Sequence, residues 1–215
     1  MNKINMYVRV FLISFLALVL LVSNYTDFYI SFLIINMILA YIPFEISCFI
    51  NKVNNKLLII LLSLLWLLFY PNAPYLVTDF FHLEALNIYE LTTIFNFELY
   101  DWLEFAIVSC GLIFGLLIGI ISLFRVIKKL QMTFFKKESK LIFLLLAIII
   151  TIASGYAIYL GRFPRLHSHY LFTNPRFIID IIINSINKDT IIFSIGMALW
   201  QIPIIYLIKL FKDHD

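Results

Sequence analysis

Apolar side chains run along this chain in six long blocks separated by short polar stretches. The blocks cover residues 7–22, 28–50, 57–76, 103–127, 141–160 and 190–211. Each comes near or exceeds the roughly 20 residues a helix needs to cross a hydrocarbon core. They lack the alternation of barrel strands, and an open strand leaves its backbone groups unsatisfied in lipid. The pattern predicts an all-α polytopic membrane protein with six transmembrane helices, residues 1–215 forming one integral membrane domain. The first block has a basic start at Lys3 and Arg9 but no small-residue cleavage site, and five further blocks follow. It reads as a span and not as a leader.

Two blocks are interrupted in informative ways. The third runs into Tyr70-Pro71-Asn72-Ala73-Pro74-Tyr75. Two prolines three apart remove two backbone donors and free carbonyls one turn earlier. In lipid those carbonyls need new partners, and Asn72 can supply one. Two readings stand: a kinked helix end with a self-capping asparagine, or an exposed backbone cradle for a polar group, as in the broken helices of transporters. The aromatic-rich stretch 80–102 suits a membrane interface. Between the fifth and sixth blocks, Ile178, Ile179, Ile182, Ile183 and Ile186 follow a helical period, with Asp180, Asn184 and Asn187 opposite. Asn174 as cap and Pro175 at the first helical position start a short amphipathic helix in this fifth loop.

Composition agrees with the pattern. Hydrophobic residues make up 63% of the 215 and charged residues 13%, against roughly 45–50% and 25% in soluble domains. The mean hydropathy is +0.99. A soluble fold of this size could not bury so much Leu, Ile and Phe. A soluble enzyme, a nucleic-acid-binding domain and a disordered tail are excluded as classes. Cys48 and Cys110 lie in apolar runs and read as two buried thiols acting as small hydrophobes.

Charge orients the spans. Twelve of the 16 Lys and Arg fall at the N-terminus, in the second and fourth loops and at the C-terminal end; nine of the 13 carboxylates fall in the other loops. The positive-inside rule then puts both termini in the cytoplasm. On the outer side, loop 71–102 has five carboxylates and no Lys or Arg, while loop 161–189 has three Arg and one Lys. Arg162 and Arg165 stand beside the membrane on the side that disfavours cations. Pairing with the protein's own Asp79 or Asp101 is one reading; a lipid phosphate or anionic substrate is the other. The expected outer-face polar site is therefore Asn72, Tyr75, Asp79, Asp101, Arg162 and Arg165. His167 and His169, with His82 and Asp79 on the same face, have permissive metal spacing. They read as hydrogen-bonding or interfacial histidines, and no metal or other cofactor is expected.

Inside the spans, Gly111, Gly115 and Gly119 form a small-xxx-small series, a packing face for another helix of the chain or for a second copy. An oligomer through the fourth helix follows from the second option. Glu45 is the one carboxylate within a span apart from Glu104 at the outer edge of the fourth, and is placed to snorkel or to pair with Lys52. Asn36, Gln201 and Pro203 also lie within spans. No phosphate loop, dinucleotide fingerprint, zinc-protease helix or nucleophile elbow occurs, and no internal repeat is visible.

At the two outer loops the chain resembles the DUF1361 family of multi-pass bacterial membrane proteins. The matching pieces are residues 70–79 (Tyr-Pro-Asn-Ala-Pro-Tyr-Leu-Val-Thr-Asp), His82-Leu83, Tyr100-Asp101-Trp102, residues 111–123, and Tyr159-Leu-Gly-Arg-Phe163 followed by Arg165. After Arg165 the family pattern is Trp-rich with an Asp, where this chain has Leu166-His167-Ser168-His169-Tyr170. The resemblance implies six spans in a bacterial cytoplasmic membrane and the same outer-face residues. It implies no reaction. Three functional classes remain: a protein handling lipid headgroups or envelope substrates, a small transporter, and a non-catalytic assembly partner. Whether the chain is an enzyme is left open. Its expected surroundings are the lipid bilayer and an anionic lipid or envelope ligand, without nucleic acid.

Overall fold

The computed structural model describes residues 3–25, 30–86, 99–165 and 174–214. Among them every regular element is helical. Helices α1 (Lys3–Val22), α2 (Phe32–Lys52) and α3 (Lys56–Phe69) come first. A single turn, Asn72–Tyr75, and a 3-10 segment, Leu76–Leu86, follow. Then come α4 (Leu99–Leu130) with a terminal π turn (Gln131–Phe135), α5 (Lys140–Arg162), the short α6 (Pro175–Asn184) and α7 (Lys188–His214). Six segments are long and apolar enough to cross a membrane: Lys3–Val22, Phe32–Lys52, Lys56–Leu83, Asp101–Phe135, Lys140–Arg162 and Lys188–Lys212. The chain is a multi-pass helical membrane protein. Large exposed side chains such as Ile13, Leu64, Ile149 and Leu199 would be untenable in water and are at home against acyl chains.

The third span is discontinuous. Its helix α3 has 14 residues, about 21 Å at 1.5 Å per residue, short of the roughly 30 Å hydrocarbon core. The proline turn and the 3-10 segment complete the crossing. They nest against α4, where the glycine series lies. A Cβ at Gly119 would stand 2.6 Å from the Ala73 Cβ, and one at Gly115 would stand 2.0 Å from Leu76 Cδ1. At Gly111 it would meet Phe15 of α1 at 2.9 Å. The glycine face is thus filled within the chain, by the broken span, α2 and α1. The open choice between another helix and a second copy falls to the first. The break follows about 21 Å of α3 and brings Tyr75 beside Gly161, next to the end of α5, so it sits inside the span toward its carboxylate-rich end.

At the lysine-rich end, two arginines tie the first helices together. Arg9 of α1 forms a bidentate pair with Glu45 of α2, Nε to Oε1 at 2.7 Å and Nη2 to Oε2 at 2.8 Å. Tyr41 donates its hydroxyl to the same carboxylate. Glu45 therefore does not rely on Lys52, as expected from spacing; a partner one helix away offers two donors in a fixed fork. Arg125 of α4 donates to Asn5 Oδ1 at 2.7 Å and to Cys48 Sγ at 3.1 Å, over the Phe44 ring. Cys48 is buried and hydrogen-bonded, whereas Cys110 is exposed. The expectation of two buried thiols fails at Cys110, which α4 turns away from its packed face.

Helix α6 begins as read: Asn174 accepts from the Phe177 N–H at 3.3 Å, with Pro175 behind it. It ends earlier than the isoleucine period suggested. Asn187 leaves the polar face and caps α7, accepting from the Thr190 N–H at 3.0 Å. Ile178 is buried while Ile179, Ile183 and Ile186 are exposed, so the stripe divides between protein and surroundings. Helices α5 and α7 pack closely at Gly155, where a Cβ would meet the Ser194 carbonyl oxygen at 2.6 Å and its Cα at 2.9 Å.

Gly155→Leu is expected to destabilise the fold more than Gly115→Leu, because its obstacle is backbone and not the movable end of Leu76. Both should exceed Leu117→Ala, whose side chain is 43% exposed; overpacking costs about 1–3 kcal/mol or more. Thermal unfolding in detergent gives the order. Arg9→Lys should lower the melting temperature, since a point charge does not replace the fork. Arg9→Ala should lower it further, by leaving Glu45 with Tyr41 alone.

Candidate functional site

The site grows from the proline break. Pro71 offers no N–H to the Leu67 carbonyl, and Pro74 none to that of Tyr70. The Ala73 N–H turns back to the Tyr70 carbonyl at 3.1 Å, and the Tyr75 N–H goes to Pro71 at 2.9 Å. That shift takes from the Phe69 carbonyl the donor a continuous helix would supply. Asn72 replaces it, donating Nδ2 to the Phe69 oxygen at 2.9 Å. The self-capping reading of Asn72 therefore holds, and it also leaves the rest of the side chain facing a cleft.

That cleft has a volume of about 750 Å³ and lies between α2, α3 with its break, α5 and α6. Its walls are mostly aliphatic, Leu39, Leu67, Ala157 and Ile182 among them. Four side chains bring polar atoms to it: Asn36, Asn72, Tyr75 and Tyr156. Tyr156 donates its hydroxyl to the Ile182 carbonyl at 2.6 Å. This satisfies one of the last-turn carbonyls of α6 and holds that helix over the cleft. Gly161 lets α5 approach the Tyr75 ring, which a Cβ there would meet at 3.6 Å. Ile35 (64% exposed), Leu64 (59%) and Leu68 (47%) line the cleft and also face outward. Because they belong to spanning helices, the cleft opens toward the bilayer.

Asp79 lies behind this wall, 1% exposed. Its two carboxylate oxygens accept from Asn36 Nδ2 at 3.0 and 2.9 Å. Asn36 thus joins the cleft to a buried acid. Arg162 acts on Asp79 through space, but its guanidinium lies over the Phe81 ring, 5.6 Å from the centroid. Among the described residues, no ion pair joins Arg162 to Asp79. The physical reason is local: the 3-10 segment turns Asp79 toward α2 and presents Phe81 to the end of α5. Asp101 stands in the first turn of α4, inside a helix and not in the loop where the sequence put it. Arg165 is exposed and left-handed, with φ 55°, a conformation uncommon outside glycine. His82 packs its ring on Phe32, centroids 4.3 Å apart. His167 and His169 lie outside the described residues.

Sequence reasoning singled out Asn72 and Tyr75, which the structure brings together at the cleft, and Arg162 near its end. It noted Asn36 without giving it a partner, and missed Tyr156 and Gly155. A signal existed for Tyr156: a phenol hydroxyl within an apolar span seeks an acceptor. Gly155 follows Ser154 in the same span, but without a second glycine four residues away it lacked the periodic mark of α4.

No curated protein and no solved structure matches this chain. The family model described as a protein of unknown function, DUF1361, matches residues 35–204. That interval takes in the break, the glycine face, the cleft and Arg162, and the chain belongs to this family.

Proposed function

We propose that the protein binds a membrane lipid, with an acyl or prenyl chain in the aliphatic cleft and a polar head toward Asn72, Tyr75 and Arg162. One observation carries this reading: a cleft of about 750 Å³, apolar along its walls and polar at the proline break, whose rim side chains Ile35, Leu64 and Leu68 are exposed at membrane depth. A site of a few hundred cubic ångströms with few convergent polar groups suits a ligand that is mostly hydrocarbon. The Arg162 guanidinium lies over an aromatic face and acts on Asp79 only through space, so it keeps donors for a phosphate. Arg165, three residues beyond the end of the membrane-spanning helix α5, adds a second cation on the same side. On the cation count this is the outer face, with both termini in the cytoplasm; a bacterial cytoplasmic membrane is what the family resemblance implies.

The orientation is tested by reporter fusions. A fusion after Lys137 should report cytoplasm and one after Arg165 the outside; the reverse result would invert every face assignment. The cleft is tested with a phospholipid carrying a photoactivatable group on its acyl chain. Adducts should concentrate on Leu64, Leu68 and Ala157, and Ala157→Phe, which narrows the cleft, should reduce them several-fold while the protein stays folded. Arg162→Ala should lower retention of an anionic phospholipid, and Arg162→Lys should restore little of it. Adducts spread evenly around the lipid-facing surface and unchanged by Ala157→Phe would refute the reading.

A further inference from the structure

The opposite, lysine-rich end of the bundle holds a second cleft that lipid binding at the proline break does not use. Its volume is about 530 Å³, and it lies between the end of α4 with its π turn, the start of α5 and the last turns of α7. Lys128, Lys140, Lys209 and Lys212 line it, against the single carboxylate of Glu138. Lys128 is committed to that carboxylate, Nζ to Oε1 at 2.6 Å. The formal charge left in the cleft is positive, from lysines on both α5 and α7. Two of them are held over aromatic rings: Lys209 4.5 Å from the Phe143 centroid and Lys212 5.4 Å from that of Phe124. A ring face positions an ammonium group without neutralising it.

The corner is also built to keep its shape. Gln131, 3% exposed, donates Nε2 to the Ser139 carbonyl at 2.8 Å, and Ser139 caps α5 through the Ile142 N–H. The chain between them turns through Lys136 at φ 58°. Depth completes the argument. One spanning segment ends at Phe135, the next begins at Lys140, and the last ends at Lys212. The cleft therefore lies where hydrocarbon gives way to headgroups, with rings below and ammonium groups above. Charge that served orientation alone would need no cavity; Lys136 and Lys137 provide such charge on the same loop and do not line the cleft.

We propose that this cleft binds the phosphate headgroup of an anionic membrane lipid, with Lys140 and Lys212 as its cations and Phe124 and Phe143 against the first methylenes of the chain. Basic pockets between spanning helices suit such headgroups. The test uses the full chain in phosphatidylcholine nanodiscs containing a minor fraction of phosphatidylglycerol. The readout is phosphatidylglycerol retained after mild extraction, measured by native mass spectrometry. Lys140→Gln with Lys212→Gln should lower retention about tenfold or more, since each cation near the surface contributes appreciably. Lys136→Gln with Lys137→Gln removes the same charge and should lower it little. Lys212→Gln alone, near the end of α7, should give a smaller loss in the same direction and serves if the double variant unfolds. Arg162→Ala should leave this lysine-dependent loss unchanged, which separates the cleft from the one at the proline break. Equal losses from the two lysine pairs would overturn the proposal. So would displacement of the lipid by millimolar inorganic phosphate alone, which would assign the cleft to a soluble anion.

Discussion

A proline at position 71 withholds the one donor that the Leu67 carbonyl would use, and hydrocarbon offers no water in its place. The surroundings of the third span follow from that deficit. The Ala73 N–H shifts to an earlier carbonyl, Asn72 covers the one left behind, and the chain continues as a 3-10 segment. Such backbone is tolerated at membrane depth only where protein surrounds it. Gly115 and Gly119 supply the surroundings by letting Ala73 and Leu76 sink into α4. The break and the glycine series, separated by some forty residues of sequence, are two halves of one packing solution.

The same solution makes the cleft. A straight third helix could pack along its full length against its neighbours. A helix that stops at Phe69 and turns toward α4 leaves space on its other side, and α5 and α6 close that space only in part. Tyr156, by holding the end of α6, keeps the roof in place. Asn36 then connects the cleft to Asp79, a buried acid that takes its hydrogen bonds from an amide and not from a cation.

The sequence was most legible where the signal was local. Long apolar runs marked the spans, Asn174-Pro175 marked the start of α6, and the spacing of Pro71, Asn72 and Pro74 put Asn72 beside freed carbonyls, with self-capping as one of two readings. Pairings across distant helices were not legible. Arg9 read as a flanking positive charge and Glu45 as an acid set to snorkel or to pair with Lys52, because nothing within either helix indicates that one faces the other. The cleft was hidden for a different reason: Leu39, Leu64 and Ala157 look the same whether they meet lipid, protein or a cavity. Arg162 pointed toward the end of α5 beside the cleft, yet a charge argument favours carboxylates and overlooked the Phe81 ring. The lysines of the other face entered only as a count for orientation, which carries no information about whether they converge.

The pairing of Arg9 with Glu45 bears on how the chain enters its membrane. A carboxylate within an apolar helix is expensive to insert alone. Here its cation lies in the preceding helix and is synthesised first, so α1 and α2 can enter lipid as a hairpin with the charge already matched. Arg125, which reaches back to Asn5 and Cys48, arrives only with the fourth span. The early hairpin is thus held in two steps, first by its own fork and later by a clamp from α4, and the order of synthesis becomes the order in which polar groups leave water.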